Sequence, residues 1–275
     1  NVAQLVASSL DIADSDFLNG IHDFTVPGIG DVTNLGTINA ANGVVLLGRR
    51  VTNAGAIITQ PGGFVAMAAG DRVLLGQPGS NVIVEMSSAI GGGAGVGDVI
   101  NTNTGVIQSP GGEIVLAAGD MFSLAGGPLR TVKVHLGTGQ VEQDGLIDAS
   151  AAGAGQNGGT ISLTSGDRTA LGPASVTRAN AGTGGDSGLV TVHSYDSVEV
   201  ASGAQIQATG GYTPVQVEDG AAPLYIIQDN SVEIIGDTIS LAGSIDARPL
   251  AAGKKGKIHI GADSLTVVDE LPAPP

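Results

Sequence analysis

Two stretches of the chain, NAGAIITQPGGFVAMAAGD at residues 53–71 and NTGVIQSPGGEIVLAAGD at residues 103–120, are close copies of each other. Each contains Asn-x-Gly, then Ile, then Pro-Gly-Gly, an alternating apolar run and a final Ala-Ala-Gly-Asp. A looser copy lies at residues 144–167, and partial copies lie at 188–196 and 256–263. Self-similarity of this kind is the signature of repeat proteins, so the fold is expected to consist of stacked units.

The repeated unit has the pattern of short β-strands joined by glycine turns. In the first four copies a glycine lies eight residues before the aspartate, and an alternating apolar run separates the two. The apolar residues of these runs are Val65 and Met67, Ile114 and Leu116, Ile161 and Leu163, and Val190 and Val192. Strand side chains point alternately to opposite faces, so these residues are expected to face a core. Such short strands cannot enclose a core alone, whereas stacked coils can.

This pattern predicts an all-β fold, a right-handed parallel β-helix of roughly eleven or twelve coils. Asp71 and Asp120 are 49 residues apart and Asp120 and Asp167 are 47 apart, which fits two coils of about 20–25 residues in each repeat. A β-sandwich is disfavoured because aromatic residues are only 3% of the chain and sandwich cores use bulky aromatics. The copies also vary in length at one place, between Ile147 and Gly158, as insertions at a single corner would. Tight hexapeptide repeats, typical of left-handed β-helices, are absent from the sequence.

The composition excludes several functional classes. Gly supplies 45 of 275 residues, charged residues are 13%, and the net charge is −15. An apolar share of 42% is too high for intrinsic disorder. Nucleic acids and anionic membranes are unsuitable partners for so acidic a chain. The small basic clusters, Arg49–Arg50 and Lys254, Lys255 and Lys257, are interpreted as solvated turns.

The chain contains no cysteine, which excludes disulfides, thiolate catalysis and cysteine-ligated zinc. No stretch approaches the roughly 18 uninterrupted apolar residues of a membrane span. The first residues lack the basic region of a signal peptide, so a removed leader or a longer parent chain is expected. We expect a single β-helix domain over residues 1–270, and a proline-rich tail or linker over 271–275.

The N-terminal part resembles a known family. The stretches NVAQLVASSLDIADSDFLNG at 1–20 and GTINAANGVVLLGRRVTNAGAIITQPGGFVAMAAGDRVLL at 36–75 are similar to the secretion domain of filamentous-haemagglutinin-type exoproteins. Residues 1–75 carry this resemblance, and PGGEIVLAAGD at 110–120 is a further matching stretch. Residues 76–270 are expected to form further coils, and residues 141–275 match only as generic β-helix coils. Such domains usually carry Asn-Pro-Asn-Gly just before Asn-Val-Ala, and this chain starts after that point.

The resemblance implies a right-handed β-helix that leaves the cell by two-partner secretion, through an outer-membrane transporter partner. It also implies a secreted protein at the cell surface of a Gram-negative-type bacterium, with a role in adhesion or surface structure. No cofactor is implied.

Five aspartates at the same point of the repeat are the candidates for a catalytic acid or base: Asp71, Asp120, Asp167, Asp196 and Asp263. One carboxylate per repeat along a rod is typical of a scaffold, in which Asp hydrogen-bonds its own turn, whereas an active site is a local cluster. Asp11, Asp14 and Asp16 are expected in a turn or cap, and Asp229 with Glu233 forms a loose pair. We therefore predict no catalytic residue.

The remaining candidates for chemistry are four histidines and one glycine-rich segment. His22, His135, His193 and His259 are far apart in sequence, although His193 and His259 hold comparable strand positions. Metal-binding histidines are usually closer together. Gly91–Asp98 superficially resembles a calcium-binding coil, but it occurs once and does not repeat. We predict no metal site and no bound cofactor.

Three functions are compatible with these features. The first is an adhesin whose corner loops, at residues 76–100, 149–159 and 212–225, contact a host, a neighbouring cell or a surface. The second is a homopolymer, a filament or sheath built by end-to-end stacking of unpaired strand edges. The third, a polysaccharide lyase or hydrolase on a β-helix, is the least favoured. We predict that the protein is not an enzyme.

Overall fold

The structure is a computed structural model. It describes residues 2–25, 30–70, 72–75, 82–84, 97–119, 122–124, 139–210, 232–248 and 256–268. Strands are numbered in chain order. The first elements are β1 (Val2–Ser8), β2 (Asp11–Ile12), the short helix α1 (Asp14–Leu18) and β3 (His22–Thr25).

The next strands wind into coils, each of which passes through three faces in a fixed order. Face 1 consists of β4 (Val32–Asn34), β6 (Val51–Asn53), β11 (Val99–Asn101), β15 (Gln140–Gln143), β18 (Arg168–Leu171), β21 (Ser197–Val200), β24 (Thr238–Leu241) and β27 (Ser264–Val267). Face 2 consists of the start of β5 (Thr37–Gly48) with β7 (Ala56–Thr59), β12 (Val106–Gln108), β16 (Leu146–Asp148), β19 (Val176–Arg178), β22 (Gln205–Gln207) and β25 (Ser244–Asp246). Within each face every strand pairs in parallel with its counterparts in the adjacent coils.

Face 3 carries the longest alternating runs. It consists of the end of β5 with β8 (Phe64–Ala69), β13 (Glu113–Ala118), β17 (Thr160–Ser165), β20 (Leu189–Ser194), β23 (Val232–Ile235) and β26 (Ile258–Gly261). Strand β1 pairs in parallel with β5 and begins this face. The prediction of an all-β parallel β-helix is confirmed, with α1 as the one short helix among the described residues. The right-handed winding stays a prediction.

The number of coils was predicted wrongly. The described strands complete seven coils, from β4 to β26, with β1 before them and β27 after them. Aligned residues of face 3 lie 21 residues apart between Val44 and Val65, but 49 apart between Val65 and Ile114. One repeat therefore holds one coil plus an insertion, where the sequence had suggested two coils.

The insertions leave the helix after β8 and after β13. Their strands are β9 (Arg72–Leu75), β10 (Val82–Val84) and β14 (Phe122–Leu124), and these join β2 and β3 in an antiparallel sheet ordered β14-β10-β9-β3-β2. The apolar runs at 73–75 and 122–124 therefore belong to this antiparallel sheet and not to a coil. The sequence does not distinguish the two cases, because a short apolar run has the same pattern in both.

The core is a column of aliphatic side chains that runs through the coils. Val65, Ile114, Ile161 and Val190 stack in one row of face 3, and each is fully buried. Met67, Leu116, Leu163 and Val192 form the next inward row. Burying one such side chain contributes about 1.5–3 kcal/mol, so the stack depends on each coil being covered by the next.

A row of buried amides replaces aliphatic side chains on face 1 of the first coils. Asn34 donates to Asn53 (2.8 Å), Asn53 donates to Asn101 (2.9 Å), and Asn101 donates to Gln143 (2.8 Å). In later coils the same row contains Leu171, Val200, Leu241 and Val267. The amide row ends where Gln143, one methylene longer, donates to the carbonyl oxygen of Gly145 (2.9 Å). Each amide thus bonds to its neighbour, as a buried polar group requires.

On its outer side, face 3 is largely apolar in the first three coils and largely polar afterwards. Val45, Leu47, Ala66, Ala68, Val115 and Ala117 point away from the central column, yet they are buried in a second cluster that includes Leu10. At the next coil the outward positions become Ser162 and Thr164, and then Thr191 and His193. The N-terminal coils are therefore covered on this side, and the later coils present polar groups there.

Candidate binding surfaces

A row of carboxylates marks the corner at which face 3 passes into face 1. In four successive coils an aspartate immediately precedes the face 1 strand: Asp167, Asp196, Asp237 and Asp263. Three of these were predicted from the sequence, and Asp71 and Asp120 lie outside the described residues. Asp237 was missed although Ile-Ile-Gly-Asp at 234–237 carries the same ending, because the spacing to Asp196 differs from that of the other copies.

These aspartates bond between coils. The side chain of Asp167 accepts a hydrogen bond from Nε2 of Gln140 (3.0 Å), and its carbonyl oxygen accepts from the backbone N–H of Ser197 (2.9 Å). Asp196, Asp237 and Asp263 are exposed. For Asp167 the expected bond to its own turn is thus replaced by a bond to the preceding coil. The row spreads carboxylates along the rod, about 4.8 Å apart.

Asp98 is the last residue of the glycine-rich segment 91–98, and its side chain bonds to neighbouring coils. Its carboxylate accepts a hydrogen bond from the backbone N–H of Gln140 (3.2 Å) and lies 4.0 Å from Nη2 of Arg50. Burial raises the pKa of Asp98, while the Gln140 N–H and the Arg50 charge oppose the rise. This side chain is held by protein groups of neighbouring coils. Residues 91–96 lie outside the described part of the chain.

On the outer side of face 3 in the last coils, Glu233 interacts with two histidines. Nδ1 of His259 lies 3.4 Å from Oε1 of Glu233, a carboxylate that is only 6% exposed. Burial lowers the pKa of His193, and the charge of Glu233 opposes this shift. His193 and His259 were expected at comparable strand positions. The register instead aligns His193 with Ile235, and His259 with Glu233.

The other sequence candidates lie apart from this group. Asp14 and Asp16 lie in the first turn of α1, where their negative charges interact favourably with the helix dipole. Asp11 accepts a hydrogen bond from the backbone N–H of Ile12 (2.9 Å). His135, Asp229, Lys254, Lys255 and the tail 271–275 fall outside the described residues, as do the loop 212–225 and most of 76–100.

Of the predicted contact loops, the described one at 149–159 is an ordered extension of face 2. It stacks on the equivalent segment 179–188 of the next coil. The N–H groups of Ala151, Gly155 and Gly158 donate to the carbonyl oxygens of Asn180, Thr183 and Asp186 at 2.8, 2.8 and 3.0 Å. We call residues 149–159 and 179–188 together the fin.

Glycine and asparagine hold the fin together. A Cβ on Gly182 would lie 1.9 Å from the carbonyl oxygen of Gly153, so only glycine allows the two segments this close. Oδ1 of Asn157 accepts the backbone N–H of Asp186 (2.9 Å), and Oδ1 of Asn180 accepts that of Thr209 (2.9 Å). Residues 152–157 are exposed. The fin is thus a preformed edge that projects from the coils.

Within the described residues, no group of three His, Asp or Glu side chains converges as a metal site would require. The described part of the chain also includes no helix long and apolar enough to cross a membrane.

Comparison with known proteins shows a likeness in fold. No protein-family model matches the chain, and no curated protein matches it. Among solved structures, the HMW1 secretion domain from Haemophilus influenzae superposes with a TM-score of 0.56 at 15% sequence identity, covering 97% of this chain and 76% of that domain. At this identity the likeness concerns the fold alone. The two chains therefore share a fold, which in the described residues of this chain is a parallel β-helix.

Proposed function

We propose that this chain is part of a secreted adhesin that is exported through an outer-membrane transporter partner by two-partner secretion. The observation that carries the proposal is the fold shared with a secretion domain over 97% of the chain, together with the family-like sequence at 1–20 and 36–75. A β-helix suits this route because each coil contacts only its neighbours. The emerging chain can therefore add one coil at a time outside the cell.

The adhesive surface in this proposal is the fin and the neighbouring corners. Its hydrogen bonds order the loop before any partner arrives, which lowers the entropic cost of binding. The receptor lies on a host, on a neighbouring cell or on another surface. The proposal includes no catalysis, because one carboxylate per coil along the described corner is the pattern of a scaffold, whereas an active site is a local cluster of different groups.

Export is tested by expressing the chain behind a Sec signal peptide in Gram-negative cells, with and without a two-partner transporter from its own genome. We expect the chain in the medium only when the transporter is present, and periplasmic degradation without it. A transporter that lacks its periplasmic domains serves as the control. Equal release with the intact and truncated transporters would contradict the export proposal.

The alternative of a filament rests on the apolar end of the described coils. Leu265 is 51% and Val267 is 71% exposed, although they continue the inward rows of Ile239 and Leu241. In a head-to-tail stack, however, the row of Val267 would meet Asn34 of the next copy, an apolar side chain against a buried amide. We therefore expect light scattering to give a monomer mass that is independent of concentration. A measured mass that increases with protein concentration would favour the filament.

A further inference from the structure

A cavity of about 290 Å³ opens on the corner between faces 3 and 1 in the last three coils. Its lining includes His193 and Tyr195 from one coil, Asp237 from the next and Asp263 from the last. Gly236, Gly261 and Ala262 also line it and contribute little side-chain bulk. The site is therefore a recess with an aromatic ring and two carboxylates around it.

The recess arises from a change in corner length. His193 pairs with Ile235, and Ser197 pairs with Thr238. Three residues, 194–196, fill the corner before β21, while only two, 236–237, fill the corner before β24. The corner before β27 also has only two residues, 262–263. Tyr195 is thus an extra residue, and the shorter corners below it leave the space open.

The chemistry of the lining suits a neutral sugar ring. Tyr195 is 42% exposed, and an aromatic face packs against the C–H face of a pyranose. Asp237 and Asp263 are exposed acceptors at the same opening, suited to sugar hydroxyl donors. The described lining contains no lysine or arginine. On a chain of net charge −15, such a site disfavours acidic sugars.

We propose that this recess binds a neutral glycan, with one sugar ring over Tyr195 and its hydroxyl groups on Asp237 and Asp263. The proposal rests on the adhesin role above and deepens it by naming the class of receptor. The small volume allows one ring, at the low end of ligand pockets. Weak affinity for a single sugar is expected, and binding of cell surfaces would depend on multivalent display.

Saturation-transfer NMR on the purified full chain tests this directly. The probes are methyl glycosides of galactose, glucose, mannose and N-acetylglucosamine, with N-acetylneuraminic acid as the acidic comparison and CaCl₂ in parallel titrations. We expect transfer to at least one neutral glycoside and none to the acidic sugar. Tyr195→Ala should weaken binding about tenfold or more, because it removes the stacking face.

Two further variants separate the site from general effects on folding. Asp237→Asn should weaken binding, whereas Asp196→Asn, an exposed aspartate of the adjacent coil that does not line the recess, should not. Circular dichroism checks that each variant is folded. Absence of transfer to every neutral glycoside, binding unchanged in Tyr195→Ala, or saturable calcium binding at this corner in place of sugar would overturn the inference. Transporter-dependent release is measured independently, so failure of glycan binding leaves the export proposal standing.

Discussion

Gly55→Ala is expected to destabilise the β-helix by about 3 kcal/mol, whereas Gly36→Ala, one coil earlier in the same row, should change stability by less than about 0.5 kcal/mol. A Cβ on Gly55 would lie 2.0 Å from the carbonyl oxygen of Gly36 and 2.8 Å from its nitrogen. A Cβ on Gly36 has nothing within 4 Å. Both substitutions add the same methyl group. They differ only in whether a neighbouring coil lies against it.

The clash at Gly55 cannot be relieved cheaply. The carbonyl oxygen that it would strike accepts the backbone N–H of Ala56 at 2.8 Å, so moving it away breaks a bond between coils. Neither glycine has a positive φ, so the contrast does not involve left-handed backbone strain. The same geometry recurs at the other corner, where a Cβ on Gly112 would lie 2.1 Å from the carbonyl oxygen of Gly63.

Urea unfolding followed by circular dichroism measures both variants against the parent chain. A lower midpoint for Gly55→Ala with an unchanged midpoint for Gly36→Ala is the expected pair of results. Equal midpoints for the two variants would mean that the coils can separate locally to admit a methyl group, contrary to the tight stacking described above.

The sequence was sufficient to predict the fold class, because its period-two runs and glycine spacing both require stacked strands. Val65, Ile114, Ile161 and Val190 were expected to face a core, and in the structure they are buried and stack in one row. The coil count was beyond prediction, because strands of the antiparallel sheet have the same composition as strands of a coil. Only hydrogen-bond pairing distinguishes β9 and β14 from coil strands.

The recess at Tyr195 could not have been predicted, because it depends on a one-residue difference between the corners of two coils 41 residues apart. The repeat also gave a misleading alignment of asparagines. Asn-x-Gly at 53–55 resembles Asn-x-Gly at 103–105, yet Asn53 pairs with Asn101, while Asn103 is exposed. The corner between Asn101 and Gly105 contains two extra residues, and a pattern match cannot decide where such residues are accommodated.

Asn101→Leu is expected to destabilise the chain by about 3 kcal/mol, even though leucine fits the same row at position 171. Asn101 is fully buried, accepts from Nδ2 of Asn53 and donates to Oε1 of Gln143. Removing it leaves a buried donor on one side and a buried acceptor on the other. The Asn53 donor keeps only a longer contact, 3.4 Å to the carbonyl oxygen of Val106. Urea unfolding measures the loss, and an unchanged midpoint would contradict the importance of the row.

The decisive comparison is the double variant Asn53→Leu with Asn101→Leu. A cut in the row leaves two unpaired ends whether one amide or two adjacent amides are removed, so the double variant should be destabilised about as much as one single variant. Asn34→Leu leaves only one buried end, the Asn53 acceptor, because the Gly36 N–H that also bonds to Asn34 is exposed and can bond to water. This variant should therefore cost about half as much. Replacing Asn34, Asn53, Asn101 and Gln143 together leaves no end and should recover most of the stability, as in the later coils with Leu171 and Val200. Strictly additive losses across this series would show instead that each amide acts through its own packing and not through the chain of hydrogen bonds.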